Sequence, residues 1–268
     1  MTETTSYEKV RLELNGPERT ARITLNAPKA NIVDRTMLAE LLSAFDRCAQ
    51  RDLCAVVLAA AGPHFSFGAS VQEHLPEHIA ETLSALHALI GRMVGMPAPV
   101  IAAVKGQCLG GGFELALACD LVLADETAVF GSPEIKLGVF APAASALLPV
   151  RIGASRAAAL LLTGENCSAR DARAMGLVAA VAPAGGLDDL VGTYLETHFV
   201  PRSASGLRYA ALAARCPVLH AVDYDLPRCE GMYLEELMAT HDSVEGIQAF
   251  LEKREPRWYR NALAAVRD

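Results

Sequence analysis

The sequence predicts an α/β fold whose C-terminal part is helical. Short apolar runs that end in Gly or Pro alternate with amphipathic helical stretches through roughly the first 130 residues. From about residue 142 the apolar pattern turns mainly helical. Within the first part, Gly110-Gly111-Gly112 joins a buried strand to an apolar helix. A composition change at Pro201-Arg202-Ser203 divides the chain into a core, residues 1–200, and a helical region, residues 201–268.

Each element has a local reason. Residues 21–25 read as a strand, and Pro28 ends it because proline cannot continue a ladder. Residues 36–49 read as a helix, with Leu38, Leu41, Leu42 and Phe45 on one face. Residues 54–60 form a continuous apolar run closed by Gly62 and Pro63, which suits a strand buried on both faces. A helix over 79–95 stops at Gly95 and Pro97. Residues 100–104 are another buried strand, followed by the glycine run and a helix at 113–119. Strands follow at 121–124, 128–130 and 178–182, and helices at 154–162, 169–175, 186–198, 203–215 and 230–252.

The chain has 268 residues, 52% of them hydrophobic, which suffices for a large core. Its net charge of -7 gives no basic stripe of the kind nucleic-acid binding needs. No window of 18 residues is free of Gly, Pro, Lys or Asp, so no transmembrane helix is expected. The N-terminus lacks a charged segment followed by an apolar one, so no secretory signal is expected. The seven cysteines include no Cys-x-x-Cys pair and read as reduced core residues of a cytoplasmic protein. Cys108, beside the glycine run, is the one candidate nucleophile among them.

The glycine run carries the chemistry. Glycine lets a backbone approach a ligand closely, and the start of a helix presents unpaired amides. Such amides can hold a carbonyl oxygen that gains charge during reaction. A strand–helix turn without a ligand is the alternative on the glycines alone. The dinucleotide fingerprint and the P-loop ending are both absent. Glu114 stands two residues past the last glycine, in an otherwise apolar helix, where a carboxylate is a candidate acid–base group. Its alternative role is to complement the helix dipole. Glu134, after Ser132-Pro133, reads by itself as an ordinary acid at a helix start.

Several segments in order resemble the crotonase (enoyl-CoA hydratase/isomerase) superfamily. They are Pro99 to Gly106, Leu109 to Leu115, Ala118-Cys119-Asp120 and Phe130 to Gly138. Upstream, Phe65-Ser66-Phe67-Gly68-Ala69 looks like that superfamily's first oxyanion loop, and Glu245 to Arg254 like its C-terminal helix. The resemblance implies a spiral of ββα units with a C-terminal helical part that assembles trimers, commonly paired as hexamers. It implies a coenzyme A thioester as substrate and no separate cofactor or metal. Ala69 and Gly111 would donate their backbone N–H groups to the thioester oxygen. Glu114 and Glu134 would hold a water, take its proton and supply a proton to carbon. Retention of both acids implies water addition or elimination. Lys29 is a candidate for the coenzyme A phosphates by position, and Gly68 lies in the loop that would meet the thioester.

The chain departs from the pattern in three places. Phe67 and Ser70 flank the first oxyanion loop where the superfamily often has Ala and Asp. Phe140 and Pro142 stand where it often has small glycines, which predicts a rigid apolar pocket suited to a compact ring. The segment Val71 to His78 carries His74 and His78 four apart, a spacing that could hold a metal, but Pro76 lies between them and no third ligand is evident. These segments together resemble hydratases that act on cyclic dienoyl thioesters. A short-chain 2-enoyl-CoA hydratase is the competing enzyme. A non-catalytic acyl-CoA- or RNA-binding protein on the same fold is the competing reading of another class.

Overall fold

The computed structural model describes residues 2–259. A seven-stranded sheet forms its centre, in the order β1-β2-β3-β4-β5-β7-β10. Its strands are β1 Thr2–Ser6, β2 Val10–Asn15, β3 Thr20–Leu25, β4 Ala55–Ala60, β5 Val100–Val104, β7 Leu121–Asp125 and β10 Ala180–Ala182. β1 and β2 pair antiparallel, as do β2 and β3, and the remaining pairs are parallel. A small second sheet joins β6 Gln107–Leu109, β8 Val129–Gly131 and β9 Cys167–Ser168.

The parallel strands are apolar because both faces of the sheet are covered. Every residue of β4 and β5 is buried. Val56, Leu58, Val100, Ala102 and Val104 face one core, which also holds the buried sides of α1 Arg35–Ala49 and α2 Ile79–Val94. Ala55, Val57, Ala59, Ile101 and Ala103 face the opposite core, with Leu187 and Val191 of α7 Leu187–Tyr194. The alternation follows from the period of two along a strand. α1 starts where the Asp34 carboxylate accepts a hydrogen bond from the Met37 N–H at 3.0 Å.

The N-terminal hairpin was not expected. In β2, Val10, Leu12 and Leu14 are buried and alternate with half-buried polar residues. β1 is mostly exposed and polar, and pairs only with β2. α3 spans Gly111–Leu117, so the helix begins inside the glycine run, two residues ahead of expectation. α4 Pro142–Ile152 and α5 Ala154–Thr163 lie between β8 and β9 of the small sheet, and α6 Ala169–Ala174 follows β9.

The C-terminal region departs further from its expected division. Helical backbone runs almost unbroken from α8 Ala204–Ala214 through α9 Cys216–His220 and α10 Leu226–Gly231 to Glu236. π-helical turns at Ala221–Asp225 and Met232–Glu236 follow α9 and α10. Pro217 and Pro227 sit in the first turns of α9 and α10, where a missing N–H costs little. The expected helix over 230–252 is interrupted at Thr240. That residue's side chain instead caps α11 His241–Leu251.

Arg215 ties this helix to the core. It is 3% exposed, and its guanidinium donates to both Asp120 oxygens, at 2.7 and 2.6 Å. It also donates to the carbonyls of Val94, Met96 and Ala98, at the end of α2 and the entry to β5. Asp120 in turn accepts from the Val100 N–H at 2.7 Å. Removing the cation leaves a carboxylate and three carbonyls without it in a buried place. Arg215→Met should therefore lower unfolding free energy in chemical denaturation by about 3–5 kcal/mol. A loss below about 1 kcal/mol would show that the pair is screened as a surface pair is.

Candidate active site

Two backbone segments build the centre of the site. The first is Ser66-Phe67-Gly68-Ala69, which runs beside β6. The Ser66 N–H donates to the Gln107 carbonyl, and the Leu109 N–H donates to the Ser66 carbonyl. The Ser66 hydroxyl is fully buried, donates to the Asn31 carbonyl at 2.7 Å and accepts from the Gly68 N–H at 3.0 Å. The Phe67 N–H donates to the Ala30 carbonyl and the Ser70 N–H to the Val33 carbonyl. Among the described residues this leaves the Ala69 N–H without a partner in the chain.

The second segment is the glycine run. Gly110 has φ +50°, a region that favours glycine. A Cβ there would lie 2.5 Å from Oε1 of Glu134, so the carboxylate rests on bare backbone. Gly111 opens α3 as its first helical residue, and its N–H therefore has no partner within the helix. A Cβ on Gly111 would lie 3.4 Å from the Ala69 nitrogen. The two free amides thus lie side by side, with the Glu134 carboxylate at the next residue.

Glu114, in the first turn of α3, is 3% exposed. It accepts from the Ala144 N–H of α4 at 2.9 Å and from the Ala143 backbone. Burial pushes its pKa up, while these amides and the nearby His87 favour the charged form. Glu134 lies on a single 3-10 turn, Pro133–Leu137, between β8 and α4. The residue is half-buried, and its Oε2 is buried without a partner. Burial, and then the charge of Glu114, push its pKa up to about 8. Glu114 is held by donors that prefer an anion, and Glu134 has little beyond its own backbone N–H. The arrangement therefore favours charge on Glu114 and the proton on Glu134. It can accept a proton at one point and deliver one at another, beside amides able to bind an oxyanion.

The other residues singled out in the sequence fall in different places. Phe140 packs its ring against Tyr233, 5.4 Å between centroids, next to the carboxylates. Pro142 is buried at the start of α4, two residues before the Glu114 donor Ala144. Phe67 is 43% exposed and sets its ring edge-on against His64. Ser70 follows Ala69, and its carbonyl bonds Nδ1 of His74 at 2.8 Å. Lys29 is exposed, with φ +119°, in the loop next to the Ser66–Ala69 segment. His74 ends a 3-10 turn and the exposed His78 precedes α2, so the two do not share a helix face. Cys108 is fully buried, and burial pushes its thiol pKa well up, which argues against a nucleophile. Two cysteines are not in the core: Cys216 is exposed and Cys229 half-buried.

Sequence reasoning missed two side chains. Tyr233 is 1% exposed, and its hydroxyl is buried without a partner while both carboxylates act on it. His87 of α2 bonds Glu230 of α10 through Nδ1 at 2.5 Å. Its Nε2 is buried without a partner. Nothing local marks either residue, since both read as parts of amphipathic helices.

The raised pKa of Glu134 has a consequence for stability. Between the ordinary carboxylate value of 4.5 and about 8, the folded chain holds a proton that the unfolded chain has released. The proton's contribution is full below the lower value and is lost as pH rises through the upper one. Glu134→Gln should therefore melt higher than the parent, by a margin that grows from about pH 5 to about pH 8 and then levels. A margin constant over that range would mean that Glu134 ionises normally.

Comparison with known proteins identifies the family. A model of the enoyl-CoA hydratase/isomerase family matches residues 16–261. The cyclohexa-1,5-dienecarbonyl-CoA hydratase of Thauera aromatica is 46% identical, over 96% of this chain and 99% of that protein. A probable enoyl-CoA hydratase of Mycobacterium bovis is 36% identical, over 94% of this chain and 98% of that protein. The crystal structure of an enoyl-CoA hydratase from Mycobacterium avium subsp. paratuberculosis superposes with a TM-score of 0.84 at 28% identity, covering 95% of this chain and all of that one. With its fold, its paired carboxylates and these relatives, the chain belongs to the enoyl-CoA hydratase/isomerase family.

Proposed function

We propose that the chain hydrates cyclohexa-1,5-diene-1-carbonyl-CoA to 6-hydroxycyclohex-1-ene-1-carbonyl-CoA, as a step of anaerobic benzoyl-CoA degradation in the cytoplasm. The observation that carries the chemistry is the buried pair Glu114 and Glu134, with opposite preferences for a proton, beside the Ala69 and Gly111 amides. The ring is supported by the Thauera aromatica relative, which is named for that substrate. The rigid apolar wall of Phe140 and Pro142 supports it as well.

The thioester oxygen accepts from the Ala69 and Gly111 N–H groups. Glu114 takes a proton from water, and the hydroxide oxygen bonds to the ring carbon β to the carbonyl. The electrons of that double bond move into a dienolate, whose charge the two amides hold. Glu134 gives its proton to the far end of the dienolate. The second double bond shifts next to the carbonyl-bearing carbon, which gives the product. The proton gained by Glu114 then restores Glu134. No cofactor takes part, because the thioester itself is the electron sink. Phe67 and Ser70 line the entrance, and Lys29 and Gly68 meet the coenzyme A portion. Residues 201–268 serve assembly into trimers or paired trimers, around a core at residues 1–200.

A short-chain 2-enoyl-CoA hydratase is the second reading, favoured by the Mycobacterium bovis relative. Comparing kcat/KM for the cyclic dienoyl thioester and for crotonyl-CoA separates the two. The expected preference for the ring is at least about 100-fold, and an equal or reversed preference overturns the cyclic assignment. Glu114→Gln and Glu134→Gln should each lower kcat by roughly 100- to 10,000-fold, with KM changed only a few-fold. Unchanged turnover in either would remove the mechanism.

A further inference from the structure

Tyr233 lies on the π-helical turn Met232–Glu236 that follows α10, far along the chain from either glutamate. Insertions of this kind often mark functional positions in helices. Its ring is fixed by apolar neighbours: Phe140 at 5.4 Å, and the buried Ile79, Leu83, Val139 and Ile247. Phenylalanine would satisfy every one of those contacts. The hydroxyl adds nothing to the packing, and burying it without a partner is unfavourable. A buried orphan of this kind calls for a partner that is not part of the chain.

The surroundings of the hydroxyl point to that partner. Burial first, and then the charges of Glu134 and Glu114, hold the phenol in its protonated form. It is therefore an O–H donor throughout the working range of pH, and a poor acid or base. Oε2 of Glu134 is also buried without a partner. One small oxygen species among the three groups would accept from Tyr233 while donating to a carboxylate.

We propose that the Tyr233 hydroxyl donates a hydrogen bond to the oxygen of the water that is added, and to the same oxygen as the hydroxyl of the product. Tyr233 then orients the nucleophile for one carbon of the acyl group and binds the leaving hydroxyl in the reverse direction. The inference rests on the hydratase reading, but not on the acyl group being a ring.

Tyr233→Phe keeps the ring contacts and removes only the donor. The variant should hydrate the preferred thioester with kcat lowered about 10- to 100-fold and KM within about threefold. The decisive readout is the inhibition of initial-rate hydration by a hydroxylated thioester and its deoxy counterpart. For the ring these are 6-hydroxycyclohex-1-ene-1-carbonyl-CoA and cyclohex-1-ene-1-carbonyl-CoA. For the open chain they are 3-hydroxybutanoyl-CoA and butanoyl-CoA. The parent should bind the hydroxylated member of its preferred pair more tightly, and Tyr233→Phe should lose about tenfold of that ratio. A ratio unchanged by the substitution, or absent in the parent, overturns the proposal, since a packing role would not move it. Loss of the ratio with the open-chain pair alone supports Tyr233 while refuting the cyclic substrate.

Discussion

The site depends on the contact between the Gly110 backbone and the Glu134 carboxylate. Any side chain at position 110 would meet that carboxylate at 2.5 Å. Because glycine stands there with positive φ, the chain turns from β6 into α3 with its next amide unpaired within the helix. The same turn brings Gly111 against Ala69, so that two amides from separate segments lie together. Ser66 makes that approach rigid, with a buried hydroxyl bonded on both sides of the loop. Geometry of this kind lets binding energy act on charge that appears only during reaction.

Placing two carboxylates in this space has an electrostatic consequence. Neither is well hydrated, and both pKa values are raised. The chain separates their roles by its choice of hydrogen-bond donors. Backbone amides at the start of α4 hold Glu114, whereas the buried Oε2 of Glu134 has none. Pro142 contributes indirectly, because it opens the helix that supplies those amides. The burial that raises these pKa values makes the pair unfavourable for stability as pH rises. A core packed on both faces of the sheet and the Arg215 network supply the rigidity that holds it.

Much of this was legible in the sequence, because the signals were local. The apolar runs that became β4 and β5, and the glycines before Glu114, each fixed a conformation by themselves. The start of α3 was misplaced because three glycines in a row do not show which one takes the positive φ. The structure gives that role to Gly110. The polar β1 offered no apolar signal, and the alternation of Val10, Leu12 and Leu14 in β2 was overlooked. Pro217 and Pro227 stand in the first turns of α9 and α10. Tyr233 and the His87–Glu230 pair were illegible because they arise from contacts between segments more than 90 residues apart. Only folding supplies the environment that distinguishes them from ordinary helix residues.

One proton is held by the Glu114–Glu134 pair well above the ordinary carboxylate range. Infrared difference spectra of the parent against Glu134→Gln, collected across pH, report it directly through the carboxylic-acid carbonyl stretch. A protonated carboxyl signal should persist in the parent to about pH 8 and then disappear, and should be missing from the variant. A signal already gone by about pH 5 would contradict it, because both acids would then ionise as exposed carboxylates do.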